Sequence, residues 1–210
     1  MKLYFVRHAE NQANIDRILS YKVVDLSLTA LGIQQANSVA AWLSDKRIAK
    51  IYSSPMKRTM ETAAIIAQRL SLPEIIALEE LREINVGVLD GKRDGAAWQA
   101  HDAIIKRWAS GESDLTFEGG ESLVGLRERT KRAVERVLAE NAHLQDDDGI
   151  VLVCHSGILN YGLSWLCNHP AGSQVRPALA PTAIIMVEAK HDQLHCVEWG
   201  LDSHLFPLRQ

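Results

Sequence analysis

Short apolar runs alternate along the chain with longer amphipathic segments, and this alternation predicts an α/β protein. The β-prone runs predict strands over Lys2–Val6, Ile48–Ser53 and Gly149–Cys154. Apolar residues at helical spacing predict helices over Thr29–Ser44, Ala96–Ala109, Ser122 to about Ala142, and Ile158–Leu166. Strands that alternate with helices in this way indicate a largely parallel sheet that is covered by helices.

The residues around Ser54-Pro55 predict the start of a further helix. A serine hydroxyl can cap the first helical amides, and proline is favoured at the first helical position. The buried stripe of this helix consists of small and apolar residues at helical spacing: Met60, Ala63, Ala64, Ala67 and Leu70. We therefore expect Arg58 to lie in the first turn of this helix.

Two regions add to this core pattern. Pro181–Ala189 and Gln193–Trp199 flank a polar turn and predict a terminal hairpin, which adds an antiparallel strand to the sheet. From about Leu72 to Gly120 the strand pattern lapses, and glycine-rich irregular segments surround one helix, so we interpret this part as an inserted cap. The prediction is one domain over residues 1–210: a three-layer αβα sandwich with a mostly parallel central sheet, one antiparallel strand and a small helical cap insertion at about 72–120.

Composition and charge exclude several classes of protein. The chain of 210 residues is 47% hydrophobic and 23% charged, which excludes disordered and collagen-like chains. A net charge of −3 creates no general attraction for nucleic acid or an anionic membrane surface. No apolar run approaches the roughly 18 residues that span a bilayer, and the charged pair Arg7-His8 comes too early for a signal peptide.

The cysteines and the charge together favour a cytoplasmic protein. Cys154, Cys167 and Cys196 are odd in number and widely spaced, so they indicate neither a disulfide framework nor a C-x-x-C metal site. We expect no nucleic-acid partner and no membrane partner. The sequence leaves the oligomeric state open, a homodimer included.

Candidate chemistry lies at the ends of the predicted strands. Ligands of open parallel sheets gather beyond the carboxyl ends of the strands. The first strand delivers Arg7 and His8 to this edge, the third delivers His155, and the second leads into the helix that carries Arg58. Two guanidinium groups beside helix N-terminal amides would attract a compact dianion, and phosphate matches the fork of arginine. The sequence therefore predicts a phosphate site.

The histidines indicate what such a site could do. A neutral His8 imidazole is a competent nucleophile, so one displacement can be split into two easier steps through a phosphohistidine. Arg7, Arg58 and a protonated His155 could supply fixed donors to the transferring group without a metal. The departing alkoxide needs a proton, and Glu83 is the candidate acid.

These residues resemble a known family. Arg7-His8-Ala9-Glu10 with Asn14 resembles the R-H-G-E-T-x-W-N opening of the histidine phosphatase superfamily, the phosphoglycerate mutase-like enzymes. Further segments are similar to the family's motifs in the same order: Asp25, Leu28-Thr29, Gly32 and Gln35-Ala36; Ser53-Ser54-Pro55, Arg58 and Thr62-Ala63; Leu81, Glu83 and Gly87; Gly120-Glu121-Ser122; and Val153-Cys154-His155-Ser156-Gly157. The resemblance covers roughly residues 2–160. It implies a phosphohistidine at His8, an acid-base role for Glu83, phosphate binding by Arg7, Arg58 and His155 with Asn14 as an additional contact, and no metal. We also expect no cofactor.

The chain also departs from the family pattern. Ala9 and Ser156 each replace a usual glycine, Asn11 replaces the usual threonine, and Asp90 stands where many phosphatase members have glutamate. If the backbone at Ala9 or Ser156 needs a positive φ, the side chain costs about 1 kcal/mol or more. The hydroxyl of Ser156 also adds a hydrogen-bond donor.

Other interpretations of single motifs are weaker. Cys154-His155-Ser156-Gly157 lacks the G-x-S-x-G pattern of a serine nucleophile elbow, and no arginine-rich phosphate loop follows the cysteine. His191 and His195 are four residues apart, as helical metal ligands are, but the predicted hairpin separates them. Among the cap aromatics, Trp98 and Trp108 are interpreted as core residues, and Phe117 either belongs to the core or closes over an apolar part of the substrate.

The function expected from these residues is that of a metal-independent phosphomonoester hydrolase acting on a small-molecule phosphate ester. The alternative is a 2,3-bisphosphoglycerate-dependent phosphoglycerate mutase. Mutase-type members of the family usually carry a longer cap with extra basic residues, whereas the segment Glu112–Glu118 is acidic. A catalytically silent phosphate-binding or scaffold protein is the third interpretation, and it belongs to a different functional class.

Overall fold

The sheet has six strands in a computed structural model that describes residues 1–170, 179–190 and 193–208. The strands are β1 (Lys2–Arg7), β2 (Ile48–Ser53), β3 (Ile76–Ala77), β4 (Gly149–Cys154), β5 (Ile184–Lys190) and β6 (Gln193–Leu201). Their order is β3-β2-β4-β1-β5-β6. Pairing is parallel between β1 and β4, β2 and β4, and β2 and β3, while β5 is antiparallel to both of its neighbours. The predicted α/β class with a mostly parallel sheet is confirmed.

Helices connect these strands close to the predicted positions. They are α1 (Gln12–Ile15), α2 (Ala30–Leu43), α3 (Lys57–Leu70), α4 (Gly95–Ala109), α5 (Leu123–Glu140) and α6 (Ser164–Leu166). Helices α2 and α5 begin one residue later than predicted because Thr29 and Ser122 are their caps, whose hydroxyls accept hydrogen bonds from the third helical amide. The single helix predicted over Ile158–Leu166 is wrong in its winding, since Ile158–Leu163 is a π-helical segment and only the last residues form α6.

Two apolar layers enclose the sheet. Alternate residues of β1 point to opposite faces, so that Tyr4 and Val6 join one cluster, and Leu3 and Phe5 join the other. The first cluster packs under α2 and α3 through Val39, Leu43 and Ile66; the second packs under α5 through Leu126, Val134 and Val137. Every residue of the central strand β4 is buried, as expected for a strand that is covered on both faces.

The start of α3 corrects one prediction. The helix begins at Lys57 rather than at Ser54-Pro55, and Met56 occupies the cap position without a side-chain cap. The Lys57 N–H donates instead to both carboxylate oxygens of Asp25, at 2.9 and 3.0 Å. The Ser54 hydroxyl does not cap the helix, because it forms a hydrogen bond with a side chain that is distant in the sequence, His155. Arg58 nevertheless lies in the first turn, as predicted.

The region proposed as an inserted cap begins with a strand that the sequence pattern did not indicate. The two residues of β3 pair with Tyr52 and Ser53 of β2, which is too short a run for a period of two to be visible. Two 3₁₀ turns, Glu79–Leu81 and Gly87–Leu89, precede α4. Trp108 and Phe117 are buried with their rings edge to face at 5.3 Å, so both are core residues. Trp98 is partly buried and donates to the carbonyl of Arg17 at 2.7 Å.

The terminal hairpin is confirmed with shifted bounds. Its first strand begins at Ile184 rather than Pro181, because Thr182 adopts a left-handed φ of 59° and binds the end of β1 through its N–H, 3.1 Å from the Arg7 carbonyl. His191 lies outside the described residues, and the interpretation of the His191–His195 spacing stays a prediction. None of the helices in the described ranges is both long enough and apolar enough to cross a membrane.

Candidate active site

Three predicted side chains meet beyond the carboxyl ends of β1 and β4. His8 follows β1 and His155 follows β4, and their rings lie edge to face with centroids 5.3 Å apart. Arg58 contacts both rings: its Nε is 3.3 Å from His8 Nε2, and its Nη2 is 3.1 Å from His155 Nδ1. All three side chains are buried. The parallel pairing of β1 with β4 thus brings together residues that are far apart in the sequence.

The hydrogen bonds of His8 define its tautomer. Its Nδ1 lies 2.7 Å from the Ala9 carbonyl, and because a carbonyl oxygen only accepts, Nδ1 carries the proton. Nε2 is then the unprotonated atom and accepts the Arg58 N–H. Burial, aided by the charges of Arg58 and Arg7, holds the pKa of His8 well below its usual value. His8 is therefore a neutral imidazole whose Nε2 can act as a nucleophile.

His155 is also neutral, which corrects the expectation of a protonated ring. Arg58 can only donate, so Nδ1 of His155 accepts its hydrogen bond, and Nε2 carries the proton toward the Ser54 hydroxyl at 2.8 Å. Burial and then the charge of Arg58 hold the pKa of His155 well below its usual value. Ser54 was missed as a functional residue because its serine-proline pattern is equally typical of a helix cap.

Arg58 is fixed by the loop that leads to Asp25. Its Nη1 donates to the Ser20 hydroxyl at 3.2 Å, and its Nη2 donates to the Ser20 carbonyl at 2.9 Å. The Asp25 carboxylate lies 3.8 Å from Nη1 and, as noted, also caps α3. The Asp90 carboxylate holds the same loop, because it accepts the backbone N–H groups of residues 21–23, which follow Ser20, at 2.8–2.9 Å. Asp90, one of the departures from the family pattern, therefore supports Arg58 through this loop.

Arg7 and Asn14 occupy different surroundings. The Arg7 Nη1 donates to the carbonyl of Leu179, while its buried Nε has no partner among the described residues. Asn14 is exposed in α1, where its side chain and that of Asn11 exchange hydrogen bonds with each other's backbone N–H in a capping box. The Asn14 carbonyl oxygen is occupied in this way, and its contact with phosphate stays a prediction.

Glu83 lies beside the turn that follows His155. Its Oε1 accepts the Ile84 N–H at 2.9 Å, and its Oε2 accepts the Gly157 N–H at 3.2 Å and the Ser156 hydroxyl at 3.4 Å. A Cβ at Gly157 would lie only 2.2 Å from Oε1. The glycine two residues after His155 is thus required by the carboxylate of Glu83 rather than by its own backbone conformation, which is ordinary.

Comparison with known proteins finds one family that covers nearly the whole chain. A family model described as the histidine phosphatase superfamily, branch 1, matches residues 3–202. The chain belongs to this superfamily. A probable phosphoglycerate mutase GpmB from Proteus mirabilis is 30% identical over 203 residues, which cover 97% of this chain and 92% of the relative.

Two solved structures of similar size share the fold. The protein YhfR of Bacillus stearothermophilus superposes with a TM-score of 0.82 at 25% identity, covering 97% of this chain and 98% of its own. A mutant phosphoserine phosphatase from Entamoeba histolytica, in complex with phosphoserine, superposes with a TM-score of 0.80 at 25% identity. That match covers 98% of this chain and 99% of the Entamoeba protein.

The departures from the histidine phosphatase pattern cause no backbone strain. Ala9 and Ser156 are not among the residues with positive φ. The Ala9 N–H donates to the Thr62 hydroxyl at 3.1 Å, and Ser156 supplies the added donor that the sequence predicted, directed at Glu83.

Burial raises the pKa of the Cys154 thiol, which therefore stays protonated. A thiol nucleophile at Cys154 is disfavoured for this reason.

A second superfamily motif places helix α2 against the turn after His8. The Thr29 hydroxyl donates to the Glu10 carboxylate at 2.7 Å, and the Glu10 N–H donates to the Gln35 side chain at 2.9 Å. A Cβ at Gly32 would lie 2.0 Å from the Glu10 carbonyl oxygen, so only glycine permits this approach. These contacts therefore hold the turn that follows His8 against helix α2.

Proposed function

We propose that this chain hydrolyses phosphomonoesters through a phosphohistidine at His8. The observation that carries the proposal is the hydrogen bonding of His8: Nδ1 lies against the Ala9 carbonyl and Nε2 against the Arg58 N–H, which leaves Nε2 unprotonated. In the first step the Nε2–P bond forms as the ester P–O bond breaks. Arg7 and Arg58 donate to the oxygens of the transferring group, whose charge needs fixed donors. His155 joins them in this proposal by turning its single N–H, on Nε2, from the Ser54 hydroxyl to a phosphoryl oxygen.

Glu83 acts as acid and then as base in this proposal. It first gives a proton to the departing oxygen, and it then takes one from the water that attacks the phosphohistidine. The products are an alcohol, inorganic phosphate and free His8, so atoms and charges balance over the two steps. The amides of Ile84 and Gly157 support the carboxylate at this position.

The substrate class that we propose is a small-molecule phosphate ester. The similarity to a phosphoserine phosphatase supports hydrolysis. Relatives named as probable phosphoglycerate mutases support the alternative, in which the phosphoryl group returns to a phosphoglycerate. The acidic segment Glu112–Glu118 favours hydrolysis, because mutase-type members of the family usually carry extra basic residues in a longer cap.

The proposal includes independence from metals and cofactors, and a cytoplasmic location. No three His, Cys, Asp or Glu side chains are grouped as metal ligands in the parts of the chain that the structure describes. All three cysteines are free. We propose neither a nucleic-acid nor a membrane partner, and light scattering would test whether the chain forms a homodimer.

Turnover of p-nitrophenyl phosphate in the presence of EDTA tests the reaction, together with rapid-quench trapping of an acid-labile phosphoenzyme. We expect both signals in the native enzyme and neither in His8→Ala. Turnover that persists in His8→Ala or that disappears with EDTA would contradict the mechanism, and no turnover at all would indicate a silent binding protein. Incubation with 3-phosphoglycerate and a trace of 2,3-bisphosphoglycerate separates the alternatives: inorganic phosphate indicates the hydrolase, and 2-phosphoglycerate the mutase.

A further inference from the structure

Arg129 of helix α5 lies behind the loop that carries Glu83, and its guanidinium binds three carbonyl groups of that loop. Nη1 donates to the carbonyl of Glu80 at 2.7 Å and to that of Arg82 at 2.8 Å. Nη2 donates to the carbonyl of Glu83 itself at 2.9 Å. Three carbonyl dipoles that point to one place repel each other, and a partly buried cation offsets this repulsion. The Arg129 side chain is only 14% exposed.

Glu121 completes the arrangement on the other side of Glu83. Its carboxylate accepts from Nε and Nη2 of Arg129 at 2.9 and 2.8 Å, in the two-pronged geometry that arginine favours. The same carboxylate accepts the Asn85 N–H at 2.8 Å, and the Glu121 N–H donates to the Asn85 carbonyl at 3.0 Å. The pair therefore binds the chain both before and after Glu83.

This support matters because the loop has little regular structure of its own. One 3₁₀ turn ends at Leu81 and the next begins at Gly87, so residues 82–86 belong to no helix or strand. The Glu83 carboxylate accepts from the N–H of the next residue, Ile84, so the position of the loop backbone sets the position of the carboxylate. The side chains of Arg129 and Glu121 thus supply hydrogen bonds to the loop backbone that a neighbouring strand would otherwise supply.

We propose that Arg129 and Glu121 form a positioning pair that holds Glu83 where it can protonate the leaving group. The inference rests on the proposed function, in which Glu83 is the acid. The five hydrogen bonds of Arg129 described above go to loop carbonyls and to Glu121, and none goes to His8, Arg58 or His155. Arg129 is therefore a positioning residue that acts through Glu83.

The leaving group provides a readout that a general structural role would not move. An alkyl alkoxide needs the proton of Glu83, whereas p-nitrophenolate departs without it. The value of kcat/KM reports the steps up to leaving-group departure, so hydrolysis of the shared phosphohistidine does not enter. The test compares kcat/KM for an alkyl phosphate and for p-nitrophenyl phosphate in each variant.

We expect Glu83→Gln to lower kcat/KM for the alkyl ester by about 100-fold or more and to affect p-nitrophenyl phosphate far less. Arg129→Gln should show the same selectivity, and Arg129→Lys should retain more activity because it keeps the charge but loses the planar fork. The double variant Glu83→Gln with Arg129→Gln should be no worse than Glu83→Gln alone. Arg136→Lys is the matched control, since Arg136 lies on the same helix in an exposed ion pair with Glu140.

Equal losses for both esters in Arg129→Gln, or additive losses in the double variant, would overturn the positioning role. Circular dichroism and thermal melting show whether a variant folds. If Arg129→Gln does not fold, the same comparison of the two esters is made with Glu121→Gln and Arg129→Lys. If Glu83→Gln itself shows no leaving-group selectivity, the acid assignment of the proposed function fails and this inference fails with it. A selective Glu83→Gln beside an unselective Arg129→Gln overturns the inference alone.

Discussion

Arg58 donates a hydrogen bond from Nε to Nε2 of His8 across 3.3 Å, so the buried cation and the nucleophilic atom are in direct contact. A phosphoryl group that is bound by the guanidinium of Arg58 is consequently brought to Nε2. The same cation contributes to the lowered pKa of His8, which keeps Nε2 unprotonated. One side chain thus both attracts the substrate and keeps the nucleophile reactive.

Replacing Arg58 should therefore lower kcat/KM for p-nitrophenyl phosphate strongly. We expect Arg58→Gln to lose on the order of 3 kcal/mol of transition-state stabilisation, which is roughly two orders of magnitude in rate. Arg69→Gln is the control on the same helix, since Arg69 contacts the Ser44 hydroxyl in an exposed position. A loss of less than about fivefold in a folded Arg58→Gln variant would argue against its role in phosphoryl transfer.

Ser54→Ala should reduce activity through His155. The substitution leaves the buried Nε2–H of His155 without its acceptor, which we expect to cost about 1–3 kcal/mol of folding free energy and to let the ring turn away from Arg58. Ser53→Ala is the control, because Ser53 is equally buried but donates to the Ser54 carbonyl instead. Urea unfolding and p-nitrophenyl phosphate kinetics should show destabilisation in both variants and a large fall in kcat only in Ser54→Ala. Similar kcat values in the two variants would contradict this role.

The sequence allowed the meeting of His8, Arg58 and His155 to be predicted for a simple geometric reason. Each follows or closely follows a strand, and the carboxyl ends of parallel strands share one edge of the sheet. Predicting which strands were parallel required only the alternation of apolar runs with amphipathic helices.

Other features depended on contacts that no local pattern encodes. Ser54 could have capped α3, but its hydroxyl faces His155, 101 residues away in the chain. The neutral state of His155 follows from its burial beside Arg58, and burial at a site is a property of the folded chain. Arg129 was not singled out because an arginine in an amphipathic helix is most often exposed.

Gly157→Ala should impair proton donation without straining the backbone. A Cβ would lie 2.2 Å from Oε1 of Glu83 and 2.6 Å from Cδ1 of Ile84, so the carboxylate must move. We expect kcat/KM for an alkyl phosphate to fall by about 10- to 100-fold, with a much smaller effect on p-nitrophenyl phosphate. Gly125→Ala is the control, because its Cβ would meet only the Ser122 hydroxyl, at 3.6 Å. Unchanged alkyl ester kinetics in Gly157→Ala would show that the Glu83 carboxylate does not need this position.

The buried histidines should make the folded state less stable in mild acid. His8 and His155 have lowered pKa values in the folded protein, so below about pH 6.5 the unfolded chain binds protons that the folded chain does not. Their contribution therefore lowers the free energy of unfolding as pH falls, by up to about 1.4 kcal/mol per pH unit for each histidine. Urea unfolding at pH 7.5, 6.5 and 5.5 measures this slope, and the double variant His8→Gln with His155→Gln should show a shallower one. An identical slope in that variant would mean that the two rings take up protons in the folded protein as readily as in the unfolded chain, which contradicts the neutral tautomers on which nucleophilic attack by His8 depends.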